Sequence, residues 1–396
     1  MVSNLVLRWI REHGSGSLTM LRKGLKLSYP VVEATFQQLR QQQLIDIKST
    51  VGSDFLFTLT AAGKQFAVER SESCSYAGPT PVPIAQYAQV VRAQRIPIQP
   101  FPEQVRGMFH DLVLPDEILD RIGTALVSQR PVFIYGPSGN GKTSIIERLP
   151  RVYDDFIFVP YAVEVDNQII SVFDPLVHAA VESDMDDQID ERWVRCRRPC
   201  VMAAGELVPS MLETRRDARS GTYAAPLQMK ASNGILLIDD FGRQTMSPRE
   251  LFNRWILPLD RGVDYLSLEY GMTFQIPFEL TLAFATNLEP SQLADEAFLR
   301  RVPNKIYVGP ISADIFDEIF RRVLQKRGLP FEPELAAYLR QLCLSHNPHG
   351  LRGCYPGDIC EILASLAAYH RRPFIVNRQS LAVATGTYFL NSSIEH

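Results

Sequence analysis

No apolar run in this 396-residue chain approaches the roughly 18 residues needed to span a bilayer. The N-terminus also lacks the apolar core of a signal peptide, because Arg8, Arg11 and Glu12 interrupt it early. Both absences predict a cytosolic protein with no membrane span. Cysteine is sparse. The six thiols (Cys74, Cys196, Cys200, Cys343, Cys354, Cys360) are most simply read as reduced. One group of soft ligands, Cys343, His346, His349 and Cys354, lies in a Pro/Gly-containing connection and includes no C-x-x-C pair. It reads as ordinary loop and core residues, not as a zinc site. Neither sign of charge dominates, and a net charge of −3 argues against a protein that coats nucleic acid along its whole length. That total conceals an asymmetry: residues 1–70 carry +4 and the remainder −7.

What the sequence does have is a hydrophobic content of 46%, ample for real cores, and a length suited to two or three domains. Its organising stretch is PVFIYGPSGNGKTS, residues 131–144. Val132 to Tyr135 reads as a short buried strand. Gly136-Pro137-Ser138-Gly139-Asn140-Gly141-Lys142-Thr143-Ser144 then has P-loop spacing, and Ile145, Ile146 and Leu149 suggest a helix beyond it. Glycines let such a loop turn its N–H groups around a phosphate chain, and the helix adds its positive end. Lys142 would reach the outer phosphates of ATP, and Thr143 would place its hydroxyl on Mg²⁺.

Further along, Ile235 to Ile238 reads as a central buried strand that delivers Asp239 and Asp240 at its C-terminal end, where open α/β sheets bind ligands. Asp239 is expected to hold Mg²⁺ through water, and Asp240 to orient the attacking water. A third strand, 281–285, ends at Thr286-Asn287, whose amide could meet the lytic water or the γ-phosphate. Arg300-Arg301 precede another strand at 305–308. Four amphipathic pieces (about 312–327, 332–345, 357–371 and 378–388) predict an α-helical lid.

The N-terminal 72 residues read as three helices (4–12, 18–26 and about 30–43), a hairpin (44–48 and 54–59) and a helix starting near Thr60. Ser28 is available as an N-cap, with Pro30 at the first helical position. This is a winged-helix plan. Its third helix offers Gln37, Gln38, Gln41 and Arg40, which suits either DNA or a protein partner. Residues 73–110 are proline-rich and predict an extended linker along the surface. A helix over 112–130 should lead into the P-loop strand. The segment 162–233 holds an acidic run (Glu182, Asp184, Asp186, Asp187, Asp190, Glu191) and then Arg192, Arg195, Arg197 and Arg198. It reads either as a solvated loop of mixed charge or, if a single-stranded nucleic acid or peptide is threaded, as the place where these arginines are the first candidates to meet it.

In this order, P-loop, aspartate pair, Asn-ending strand, arginine pair and helical lid resemble an AAA+ ATPase over about 105–390. PFELTLAFATNLEPSQLADEAFLRRV is similar to the MoxR-like branch, and 263–279 alternates like the hairpin inserted there. The whole chain also resembles bacterial winged-helix AAA+ proteins, through phrases such as IDDFGRQ and DEAFLRR. The resemblance implies an α/β fold: a P-loop AAA+ parallel sheet with helices on both faces (111–310), a C-terminal α-helical lid (311–396) and an N-terminal winged helix (1–72). Position by position it makes Gly136, Gly141, Lys142 and Thr143 Walker A, Asp239 and Asp240 Walker B, and Asn287 sensor 1. Arg301, or else Arg300, becomes the arginine finger that enters a neighbour's site, which implies a homo-oligomer, usually a hexameric ring. Two departures stand out. Asp240 replaces the usual glutamate, and Gly357 sits where a sensor 2 arginine is expected. Either Arg352 substitutes for it or lid coupling is weakened.

The expected activity is Mg²⁺-dependent ATP hydrolysis by a ring that remodels a protein or nucleic-acid client. The alternative is a slow nucleotide-gated DNA-binding switch in which ATP controls assembly.

Overall fold

The computed structural model describes residues 1–51, 54–182, 190–293 and 295–389. The chain divides into two compact units. One comprises Met1–Ile96, Tyr153–Leu236 and Thr245–Thr281; the other comprises Pro97–Val152, Leu237–Gln244 and Leu282 onward.

The first unit begins with helices Val2–His13, Leu18–Leu25 and Tyr29–Gln41, an antiparallel pair Ile45–Val51 and Asp54–Leu59, and helix Ala61–Ser73. Leu5, Trp9, Leu21, Phe36 and Phe57 pack together because their spacing puts them on one face of each element. Each such side chain, fully buried, contributes about 1.5–3 kcal/mol. Thr60 caps the fourth helix by accepting from Gly63 N–H. Ser28 occupies the N-cap position of the third helix but makes no side-chain cap, and that helix begins at Tyr29, so Pro30 is its second residue and not the expected first.

The proline-rich segment departs from the expected extended linker. Val82–Pro83 pairs with Ala162–Val165, and helix Ile84–Ala93 buries Tyr87 and Val91. Prolines are absent between Pro83 and Pro97, so nothing there prevents a helix. The hairpin Val263–Ser267 with Thr273–Pro277 forms as expected.

Three of the four arginines expected to meet a threaded partner are engaged internally. Arg198 is buried, with Nη2 2.6 Å from Asp155 Oδ2 and its guanidinium over the Tyr153 ring. Arg195 stacks on Phe156, and Arg192 pairs with Asp190. Arg197 is exposed. Asp184, Asp186 and Asp187 of the acidic run lie outside the described residues.

The sheet that carries the sequence motifs has five strands: β1 (Val132–Tyr135), β2 (Cys200–Ala203), β3 (Ile235–Ile238), β4 (Thr281–Thr286) and β5 (Asn304–Tyr307), in the order β5-β1-β4-β3-β2. β1 runs parallel to both β4 and β5. Phe133, Phe284 and Phe241 are fully buried, with centroids 4.8 Å apart for the first two. In the second unit, helix Asp116–Ser128 leads into β1. It is shorter than the expected 112–130 because the residue before a proline avoids the α region, which leaves Leu112–Leu114 non-helical ahead of Pro115. C-terminal helices Ala313–Lys326, Pro333–His346, Tyr355–Tyr369 and Arg378–Tyr388 close around Phe316, Phe320, Leu339, Ile359 and Leu381. No helix among the described residues is long and apolar enough to cross a membrane.

Candidate nucleotide site

β1, β4 and β3 are neighbours, so the residues that follow their C-terminal ends emerge side by side. After Tyr135 the chain turns through Gly136, Gly139 and Gly141 at φ +134°, +82° and +82°, and the Lys142–Ile146 helix begins. The backbone at these glycines is one that other residues rarely adopt. Gly139 has a second constraint. A Cβ there would stand 2.5 Å from Cys354 Sγ.

Lys142 is 8% exposed, and its ammonium donates three hydrogen bonds. Two go to Gly136 O and Pro137 O, both at 2.9 Å, and the third to Asn287 Oδ1 at 2.7 Å. Burial pulls its pKa below the usual lysine range; the carboxylates of Asp239 and Asp240 oppose that shift, and Arg352 adds to it. Asn287 also donates from Nδ2 to Asp240 Oδ1 at 3.2 Å. An ammonium only donates and a carboxylate only accepts, so this bridge fixes which amide atom faces which partner.

Asp239 accepts from Thr143 Oγ1 at 2.8 Å through Oδ2, and its Oδ1 accepts from Asp240 N–H, also at 2.8 Å. Asp240 is exposed, at φ +45°. Gln244, which the sequence did not single out, donates to Asp239 O at 2.8 Å and Asp240 O at 3.2 Å. Its Oε1 accepts from Gly242 N–H, so one side chain closes the turn. Short polar residues after a buried strand are the only local signal for it.

These groups line a cavity of about 1200 Å³. Ser138 through Ser144, Asp239, Asp240 and Asn287 form its polar wall. The rest of its lining includes Leu112, Val113, Leu114, Ile319 and Val323, which sequence reasoning missed. Arg322 joins its two sources by donating to His110 O at 2.9 Å.

Arg352 Nη1 lies 3.2 Å from Ser138 Oγ, whereas a Cβ on Gly357 would meet nothing within 4 Å. Arg301 follows the short Glu296–Leu299 helix and donates to Ala297 O at 2.9 Å. Neither Arg300 nor Arg301 is among the residues lining this cavity. The donor set suits a hard divalent cation, because Thr143 and Asp239 offer oxygen ligands within 2.8 Å of each other.

Residues 312–387 match the model of a family described as "Domain of unknown function (DUF8689)". No sequence among the curated proteins matches the chain. Among solved structures, a point mutant of Thermotoga maritima RuvB is similar at a TM-score of 0.42 and 11% identity, over 70% of this chain and 72% of that one. NtrX from Brucella abortus is similar at a TM-score of 0.45 and 14% identity, over 71% of this chain and 56% of that one. The T. maritima RuvB Holliday junction branch migration motor is similar at a TM-score of 0.40 and 12% identity, over 72% and 73% of the two chains.

Proposed function

We propose that the chain is a Mg²⁺-dependent AAA+-type ATPase that assembles into a ring and remodels a protein or nucleic-acid partner, with residues 1–72 as a winged-helix docking or DNA-binding module. One observation carries this reading: Lys142, Thr143, Asp239, Asp240 and Asn287 converge at the C-terminal ends of three adjacent strands. A bound Mg²⁺ would neutralise charge on the β- and γ-phosphates, held by Thr143 and, through water, by Asp239. Lys142 binds the outer phosphates. Asp240 accepts the proton of the attacking water, and Asn287 holds the Asp240 carboxylate toward it. Leu112, Val113, Leu114, Ile319 and Val323 supply the apolar wall against which a base would stack. Arg301 serves the site of an adjacent copy, consistent with its absence from the lining of its own.

Titration with a fluorescent ATP analogue and steady-state phosphate release test the assignment. Lys142→Ala should abolish binding, and Asp240→Asn should bind but not turn over. Arg301→Ala should bind normally yet lose the rise in specific activity with protein concentration. Undiminished activity in Arg301→Ala would remove the shared-site assignment.

A second reading, a slow nucleotide-gated switch, is favoured by the shorter carboxylate at Asp240 and by the open space at Gly357. ATP-dependent DNA retention with turnover that no ligand stimulates would select it.

A further inference from the structure

Three hydrogen bonds clasp the phosphate loop to the chain just ahead of the Tyr355–Tyr369 helix. Arg352 Nη1 donates to Ser138 Oγ at 3.2 Å, Gly353 N–H to Asn140 Oδ1 at 3.1 Å, and Cys354 N–H to Gly139 O at 2.8 Å. Every donor belongs to 352–354 and every acceptor to 138–140. The clasp therefore uses none of the loop's own N–H groups, which are the groups a phosphate chain would take.

Asn140 differs from its neighbours in the loop. It is 6% exposed and lines the cavity, and its Nδ2 is buried with no hydrogen-bond partner among the described residues. Its orientation is set, because Oδ1 accepts from a backbone N–H and cannot exchange places with the amide nitrogen. A buried amide donor left unsatisfied is unfavourable, and a native fold tolerates one for a reason.

We propose that Asn140 is a ligand-contacting residue through which the C-terminal helices sense whether a nucleoside triphosphate occupies the loop. Its Oδ1 holds Gly353 N–H in either state. When the polyphosphate enters and Lys142 leaves Gly136 O and Pro137 O to meet it, Asn140 Nδ2 donates to a phosphoryl oxygen. One amide then joins ligand and lid segment. The inference rests on the nucleotide reading given above.

The test uses the full chain with a fluorescent ATP analogue and Mg²⁺, together with hydrogen exchange over 350–358. Asn140→Asp keeps the acceptor for Gly353 and replaces the donor with a carboxylate oxygen; Asn140→Ala removes both. Both variants should bind about tenfold or more weakly, the scale of one charge-assisted hydrogen bond. Without nucleotide, Asn140→Asp should exchange like wild type over 350–358, yet lose the slowing that saturating ATP produces in wild type. A merely structural residue would change the nucleotide-free exchange and leave the ATP response intact. Should Asn140→Ala fail to fold, the near-isosteric Asp variant carries the test. Wild-type affinity in Asn140→Asp, or full ATP-dependent protection in it, overturns the proposal while the nucleotide reading stands. Undiminished binding in Lys142→Ala would remove that reading and the proposal together.

Discussion

Thr143 and Asp239 are 96 positions apart in sequence and are joined by a 2.8 Å hydrogen bond from Oγ1 to Oδ2. Thr143 is the second residue of the helix after β1, Asp239 follows β3, and β4 lies between those strands. Two side-chain oxygens are thereby brought together at one point by strand order.

Asp239→Asn should therefore separate metal from nucleotide. In the presence of EDTA the variant is expected to bind an ATP analogue much as wild type does. The gain that Mg²⁺ adds should fall about tenfold or more, as for loss of a ligand-orienting group. Titrations with and without Mg²⁺ read the difference directly.

Asn287 spans Lys142 and Asp240, so its removal disturbs both at once. Asn287→Ala should lower steady-state turnover by roughly 10²-fold, the scale seen when one aimed amide is deleted from a reacting site. Binding should weaken much less, because Lys142 retains its charge. A variant that loses affinity but keeps wild-type turnover at saturating ATP would show that the amide serves binding alone.

Gly139→Ala meets two obstacles, a backbone at φ +82° and a Cβ position 2.5 Å from Cys354 Sγ. Together these are expected to destabilise the fold by about 1–3 kcal/mol. The signature in urea would be a lower midpoint with an unchanged slope. Adding Cys354→Ala should recover the steric part and leave the backbone part, so the two substitutions will not be additive.

Asp111 bonds Arg148 and Arg151, at 2.8 Å and 2.7 Å, and these two hydrogen-bonded guanidiniums hold its carboxyl well below the usual carboxylate range. A carboxyl with a depressed folded-state pKa binds fewer protons folded than unfolded. Its contribution is thus complete above about pH 4 and disappears as pH falls through the folded value. Asp111→Asn should flatten the pH dependence of the unfolding midpoint in that acid window and leave the slope near neutrality unchanged.

The glycine-rich loop, the acid-ended strand and the Asn-ended strand were legible because each is local: a few residues of fixed spacing between a buried strand and a turn. The same holds for the four C-terminal helices, whose apolar periodicity is continuous. Less was legible wherever the answer depends on distant chain. Leu112 and Val113 read as the start of a helix, and only Pro115 hinted otherwise. Ile319 and Val323 looked like ordinary helix-face residues, and nothing near them in sequence shows that they border the cavity lined by Lys142. Arg195 and Arg198 read as part of a solvated mixed-charge loop or as contacts for a threaded partner, yet Phe156 and Asp155, some 40 residues upstream, determine their fate. Helix Ile84–Ala93 could have been found, since Tyr87 and Val91 stand one turn apart in a proline-free stretch.

The stacked pair Phe133 and Phe284 lies on β1 and β4, the strands that lead to Lys142 and Asn287. A substitution that loosens this aromatic pair would present in a screen as failed ligand uptake, indistinguishable at first sight from damage to the loop itself. Thermal melting of each candidate without nucleotide would show which substitutions soften the scaffold.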